Sequence, residues 1–291
     1  MTINNWLPEY QNRVNESILQ YFAINEKSYK SAIELDFFSA LRHAVEWWGK
    51  RLRPILAMLA YEYISWKKCS DEIVNGLIGI EFLHCYTLVH DDLPSMDNDV
   101  LRRWKPTVWK QYGETMAVLV GDALQTMAFG QLATLGEIQI ITEMAHATGE
   151  KWVVLGQVRD TLGDQWGFSL DDIMRIHDEK TWGFIASCLV IGGIVAWANT
   201  NQLDIFRRFG ILLGRAFQVR DDILDYEWES GILWKTVWKD QDQNKWLVSK
   251  FWIDETKKIL EEIGIQMDEI LQDLEDLRFM EIKEYVMERK L

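Results

Sequence analysis

Proline is nearly missing from this chain. Its 291 residues include four, Pro8, Pro54, Pro94 and Pro106, and residues 107–291 contain none. Proline fixes φ and removes a backbone donor, so its absence over so long a stretch favours helix. Cysteine is scarce as well: Cys69, Cys85 and Cys188 are an odd number in unrelated contexts, which excludes a disulfide framework and a thiolate zinc site. Positive charge is in deficit, with a formal net charge of −14, whereas a nucleic-acid or anionic-membrane partner would call for a basic face. The apolar runs stop short of the ~18 residues that a membrane span requires. No Pro/Gly/Ser-rich linker, internal repeat or low-complexity tract divides the chain, so one domain over 1–291 is expected. The opening MTINNWLPEYQNR has no basic region followed by an apolar run, so no secretory leader is read there and a reduced cytoplasmic protein is the expectation.

What is present has helical periodicity. Ile259, Leu260, Ile263, Met267, Ile270, Leu271, Leu274 and Leu277 form a stripe separated by Glu, Asp and Lys, as in one amphipathic helix or a pair. GLIGIEFLHCYTLVH (76–90) and ASCLVIGGIVAWA (186–198) are apolar nearly all round, as helices buried on every side are. The fold class read from these patterns is all-α.

Two aspartate clusters each follow an apolar helical run. The first holds Asp91, Asp92, Asp97 and Asp99, the second Asp221, Asp222 and Asp225. Asp221 and Asp225 are four residues apart, on one helix face, where like charges repel. In the first cluster Pro94 interrupts the helix, which lets Asp97 fold back toward Asp91. Carboxylates gathered where burial is expected need cations. Oxygen-only donors suit Mg²⁺, which completes its shell with substrate phosphates and water. Basic residues suited to grip a diphosphate are Lys50, Arg51 and Arg53, Arg102 and Arg103, Lys180 and Lys235: arginine bidentately, lysine as a point charge.

Together, GKRLRP (49–54), HDDLPSMDNDVLRR (90–103), GDALQ (121–125), GQVRD (156–160), KT (180–181) and FQVRDDILD (217–225) resemble, in order and spacing, the bacterial short-chain trans-isoprenyl diphosphate synthases of the farnesyl diphosphate synthase type, in the polyprenyl synthetase family. The resemblance spans roughly residues 40 to 250. It implies an all-α single-domain multi-helix bundle around a central cavity (the isoprenoid synthase type I fold), a homodimer, and aspartate motifs that hold three Mg²⁺ ions, with Mn²⁺ as a substitute. Carried over, Asp91, Asp92, Asp97, Asp221, Asp222 and Asp225 are metal ligands, directly or through water. Arg102, Lys180 and Lys235 hold the allylic diphosphate, and Lys50, Arg53, His84 and Arg103 hold isopentenyl diphosphate. Thr181 and Gln218 offer oxygen dipoles to the allylic cation. The implied chemistry is ionisation of the allylic C–O bond, attack by the isopentenyl double bond, and proton loss to the released diphosphate. Tyr86, five residues before Asp91, and the four residues between Asp92 and Asp97 imply farnesyl diphosphate, with geranyl and geranylgeranyl diphosphate as neighbouring products.

Fifteen tryptophans do not fit this resemblance. The family pattern has glycine at or close to Trp48, Trp104, Trp152, Trp182, Trp197, Trp228, Trp234, Trp238 and Trp252, and Trp246 belongs with them, whereas Trp109 stands where an aromatic is unremarkable. Overpacking costs roughly 1–3 kcal/mol per site, so the set would approach the ~5–15 kcal/mol stability of a whole protein. This is the pattern of a gene whose UGA codons are decoded as glycine in the source but read here as tryptophan. Two other functional readings stay open: a non-catalytic partner subunit whose cavity is filled by Trp104, Trp182 and Trp234, and an HD-type phosphohydrolase on His90 and Asp91. The second has only five histidines from which to draw further ligands.

Overall fold

The computed structural model describes the backbone of residues 3–46, 49–162, 182–232 and 247–289, and their side chains except at 4, 225, 228–232 and 247–251. Almost all of this is helix, as proline scarcity and periodicity predict, so the chain is all-α. It falls into two compact units, one of residues 4–141 with 194–196, the other of 1–3, 142–193 and 197–291.

In the first unit α1 (Ile3–Asn25), α2 (Ala32–Val45), α3 (Leu52–Ser65) and α4 (Asp71–Asp91) lead to a short hairpin of β1 (Leu101–Arg102) and β2 (Lys105–Pro106), then α5 (Val108–Tyr112) and α6 (Glu114–Ala133). Local signals fix several helix starts. Ser31 opens α2 with a capping box, its side chain accepting from Glu34 N–H while the Glu34 carboxylate accepts from Ser31 N–H, and Ser70 caps α4 by accepting from Ile73 N–H; each satisfies a donor that the first turn would leave orphaned. The all-round apolar stretch at 76–90 is the core of α4, with Leu77, Ile80, Phe82 and Leu83 at or near zero exposure. It packs against α6, and the approach is close: a Cβ on Gly79 would lie 2.5 Å from the Ala128 carbonyl oxygen, and one on Gly121 would lie 2.0 Å from His90 Nε2.

Helices α4 and α6 are longer than the apolar runs in the sequence suggest, and by length and composition each could cross a membrane. Two-thirds of the apolar window of α4 is buried inside the fold, as in the core helix of a packed domain.

The second unit contains most of α7 (Ile138–Thr148), then α8 (Val153–Leu162), α9 (Gly183–Val195), α10 (Thr200–Ile232), α11 (Leu247–Leu271) and α12 (Leu277–Met287). The apolar run at 186–198 is buried as expected, through α9. The C-terminal stripe resolves into a pair of helices: Leu260, Ile263, Met267, Ile270, Leu271 and Leu274 are buried, but Leu277, the first residue of α12, is 64% exposed because Asp276 caps a new helix there and turns the chain. A charged clamp ties three helices. Glu143 on α7 accepts from Ser187 on α9 at 2.7 Å and bidentately from Arg207 on α10 at 2.8 and 2.9 Å.

The tryptophans depart from the overpacking expectation. Trp104, Trp197 and Trp252 are largely exposed, so no cavity is overfilled by them. Their cost lies in the backbone, where φ is 69°, 61° and 64°, and Trp66, which the sequence did not single out, shares this at 56°. A left-handed non-glycine residue costs roughly 1–2 kcal/mol. Trp182 does fill space, at 1% exposure, with the Arg215 guanidinium 4.4 Å from its ring, and Trp152 packs 5.8 Å from His146. Trp48, Trp234, Trp238 and Trp246, with the side chain of Trp228, lie outside the described residues.

Two tests follow from this packing. Gly121→Ala is expected to destabilise the protein by about 1–3 kcal/mol through overpacking against His90, read as a lower denaturant midpoint at unchanged m. Burial pushes the Glu143 carboxyl up, but the hydrogen bonds from Arg207 and Ser187, with the Arg207 and His146 charges, outweigh it and hold the pKa below the ordinary 4.5. A carboxyl depressed in the folded state contributes stability that is present above its unfolded value and lost as pH falls through the folded one. Glu143→Gln should therefore cost roughly 1.5–3 kcal/mol at pH 7, and the gap to the parent should narrow below pH 4.5 in acid titrations of stability.

Candidate active site

The first aspartate cluster is built by the end of α4. Pro94 stops the helix, and the chain curls back so that Asp97 N–H donates to the Asp91 carbonyl at 2.9 Å, the fold-back that the proline predicts. The hairpin then returns Arg102 to the cluster: its Nε and Nη2 lie 2.8 and 2.6 Å from Asp92 Oδ1, with Nη2 3.8 Å from Asp99. Asp92 is 3% exposed. Burial pushes its carboxyl pKa up; Arg102 opposes that shift, and the charges of Asp99 and Asp97 add to it. On Arg102 burial opposes the charge, but the bond to Asp92 and the surrounding aspartates outweigh it.

Beside this pair is a cavity of about 490 Å³ of empty space, part of it open to solvent, whose lining includes His84, Asp92, Arg102 and Arg103. His84 lies eight residues, just over two turns, before Asp92. Its pKa is held well below 6.5, first by burial and then by Arg53, Arg103, Arg102 and Arg51, so the ring is neutral near pH 7. Arg53 Nη1 is 3.3 Å from His84 Nε2; since guanidinium has only donors, that nitrogen is the acceptor. The Arg103 guanidinium lies against the opening of GKRLRP, where a Cβ on Gly49 would meet Nη1 at 2.6 Å. Lys50 is exposed on the same segment.

Arg51 has a different task from the anion contact read in the sequence. At 3% exposure it donates to Glu81 at 2.8 Å, Val45 C=O at 2.8 Å and Asn15 at 2.9 Å, anchoring the segment beneath the cavity. Sequence reasoning also missed His43, a lining residue on α2 that reaches the Pro106 carbonyl at 2.9 Å, and no local pattern would have found it. Cys85 lines the cavity too, but burial pushes its thiol up to about 12, so it stays protonated. Tyr86, two residues from His84, points to another side of α4, since two residues turn a helix by about 200°. It is 7% exposed and meets His90 edge-on at 5.8 Å; burial pushes its hydroxyl pKa up, and the Gln125 side chain opposes that shift.

The second cluster lies on α10. Asp222 is 2% exposed and accepts from Gln218 Nε2 at 3.2 Å. Asp221 receives Arg289 Nη1 at 2.5 Å, while the Arg289 carbonyl accepts from Arg220 at 2.8 Å and its guanidinium lies 4.9 Å from the Phe217 ring. The C-terminal arginine thus folds onto this cluster. The Asp225 side chain, Lys180, Thr181 and Lys235 lie outside the described residues. Among the described residues no three carboxylates, imidazoles or thiols converge as a metal cage. The donor chemistry nonetheless fits a hard cation: the first cluster offers oxygen alone, and Asp92 is raised first by burial and then by the charges of Asp99 and Asp97, both of which a divalent ion offsets.

A profile of the polyprenyl synthetase family matches residues 36–277. The chain is 31% identical over 289 residues to a farnesyl diphosphate synthase of Micrococcus luteus, covering 97% of this chain and 96% of that one. It is 38% identical over 238 residues to a chloroplastic geranylgeranyl pyrophosphate synthase of Arabidopsis thaliana, covering 79% and 66%. The crystal structure of an FPP/GFPP synthase from Zymomonas mobilis is similar with a TM-score of 0.80 at 28% identity, covering 98% of each chain. With the six motifs in order and the cationic cavity beside Asp92, these likenesses mean that the chain belongs to the polyprenyl synthetase family and is a prenyltransferase.

Proposed function

We propose that the chain, acting as one catalytic domain, condenses isopentenyl diphosphate with dimethylallyl and geranyl diphosphates to give farnesyl diphosphate. The observation that carries this reading is the cavity where Arg102, Arg103 and neutral His84 line the space beside buried Asp92. Guanidinium groups grip the non-bridging oxygens of a diphosphate bidentately. His84, neutral, accepts from Arg53 and holds it in place without adding charge. Arg53, Arg103 and Lys50 bind isopentenyl diphosphate, and Arg102, with Lys180 and Lys235, binds the allylic diphosphate. Asp91, Asp92 and Asp97 hold magnesium, as do Asp221, Asp222 and Asp225. The metal supplies electrostatic stabilisation of the departing diphosphate when bound. Gln218, fixed by Asp222, and Thr181 present dipoles to the allylic cation. Tyr86, a buried aromatic five residues before Asp91, is the residue to which this reading assigns the limit on the growing tail and hence the C15 product; relatives named for both farnesyl and geranylgeranyl products match. A homodimer is part of this reading. The partner-subunit reading loses its support at Trp104, which is 92% exposed and fills no cavity, and keeps it at Trp182, which is 1% exposed, while Trp234 lies outside the described residues.

The test is a product assay with dimethylallyl and isopentenyl diphosphates. Farnesyl diphosphate should form with Mg²⁺ and disappear with EDTA, and Asp92→Asn should cut kcat by roughly 10²-fold or more, on the scale of losing one electrostatic stabiliser of a transition state. A folded chain that binds diphosphate yet forms no allylic product under any metal condition would sink the reading. For Tyr86→Ala, chromatography should show C20 and longer products at the expense of C15.

A further inference from the structure

Four of the seven non-glycine residues with positive φ among the described residues are tryptophan: Trp66, Trp104, Trp197 and Trp252. The other three are Arg51, Asn98 and Arg103, of which Arg51 is held by its buried partners and asparagine tolerates the region. The indoles that the fold uses look different. Trp6 is 5% exposed and meets Tyr10 edge-on at 5.5 Å; Trp109 donates Nε1–H to the Asp99 carbonyl at 2.7 Å. The four left-handed tryptophans are 79–92% exposed, and the Trp66 and Tyr63 rings are 6.4 Å apart. Burial of the indole therefore offsets none of the backbone cost.

Each of the four occupies a different backbone device, and each device selects glycine. Trp197 follows α9 at the point where Ala198 N–H reaches back to the Gly193 carbonyl at 2.9 Å, the six-to-one closure of a Schellman motif whose left-handed residue is normally glycine. Trp66 closes α3 with its N–H on the Glu62 carbonyl at 3.0 Å, the left-handed cap. Trp104 is the second central residue of the two-residue hairpin loop, the pairing being Arg102 with Lys105. Positive φ at both Arg103 and Trp104 is the requirement of a type I′ turn, where glycine is preferred. Trp252 breaks the helical geometry of α11 at φ 64°, ψ 149°, close to a region that glycine alone populates readily.

We propose that positions 66, 104, 197 and 252 hold glycine in the working enzyme, encoded by UGA and decoded as glycine in the source, while Trp6 and Trp109 are encoded by UGG, and that glycine at 104 relieves the backbone strain at the hairpin tip that presents Arg102 and Arg103. Backbone geometry makes this selection independently of any family pattern; it adds Trp66, and it does not select Trp152 or Trp182.

Peptide mass spectrometry of the enzyme purified from its source, read beside the gene's codons, tests it. Glycine at the four positions with tryptophan at 6 and 109 is expected; tryptophan at the four overturns the inference. The same chain produced recombinantly as written should gain about 2–4 °C in Tm for each of the four changes to glycine, whereas Trp6→Gly should lower Tm. A fall, or no change, on converting the four also overturns it. The role at 104 rests on the proposed diphosphate site. Trp104→Gly should lower the KM for isopentenyl diphosphate severalfold while Trp197→Gly leaves it unchanged; equal KM values in both remove that role. A chain with no prenyltransferase activity would refute the proposed function but leave the mass and melting results to decide the glycine positions.

Discussion

Asp92 is a carboxylate taken almost wholly out of water at the end of a core helix, and the surrounding segments are arranged so that a cation meets it. An isolated buried charge would protonate or unfold its surroundings. Here the chain breaks at Pro94, turns through a hairpin and returns Arg102 within 2.6 Å. The second unit repeats the logic with different parts, Arg289 from the C-terminal end of the chain meeting Asp221. In each unit a later segment delivers a guanidinium to an aspartate cluster.

The cavity beside Asp92 shows the opposite balance. The protein as a whole is acidic, yet Arg53, Arg103 and Arg102 crowd one half-buried histidine, and their charges add to the desolvation that holds it neutral. Such a concentration of positive charge is stable where an anion enters or where a scaffold compensates it. Arg51 and Glu81 are that scaffold: a buried pair at 2.8 Å, with the remaining guanidinium donors given to Asn15 and Val45. A buried pair of this kind holds geometry more than it adds stability. Its use is to fix the chain entering α3, from which Arg53 reaches His84.

The contact of α4 with α6 links this electrostatics to packing. Gly79 and Gly121 let the two helices come within reach of a carbonyl and of the His90 ring, and His90 in turn supports Tyr86. The same helix therefore carries the acidic cluster at its end, the neutral histidine on one side and the tyrosine on another, with 3.6 residues per turn setting the separation.

The all-α class, the buried character of 76–90 and 186–198 and the break at Pro94 were legible in the sequence, because periodicity and proline act within a few residues. The six motifs were legible as a set because their order is itself a signal. Arg51 was misread as an anion contact and His43 was missed, since both assignments depend on residues more than 25 positions away, Glu81 and Pro106. The tryptophans divide along the same line. Their number and strangeness belong to the sequence, but that four of them stand in left-handed backbone, exposed, where glycine belongs, was decided by the helix caps and the hairpin turn. Local chemistry along the chain determined which elements form and which residue types could do the work; only the tertiary structure, by bringing distant side chains within hydrogen-bond range and fixing φ at each turn, decided which of them meet.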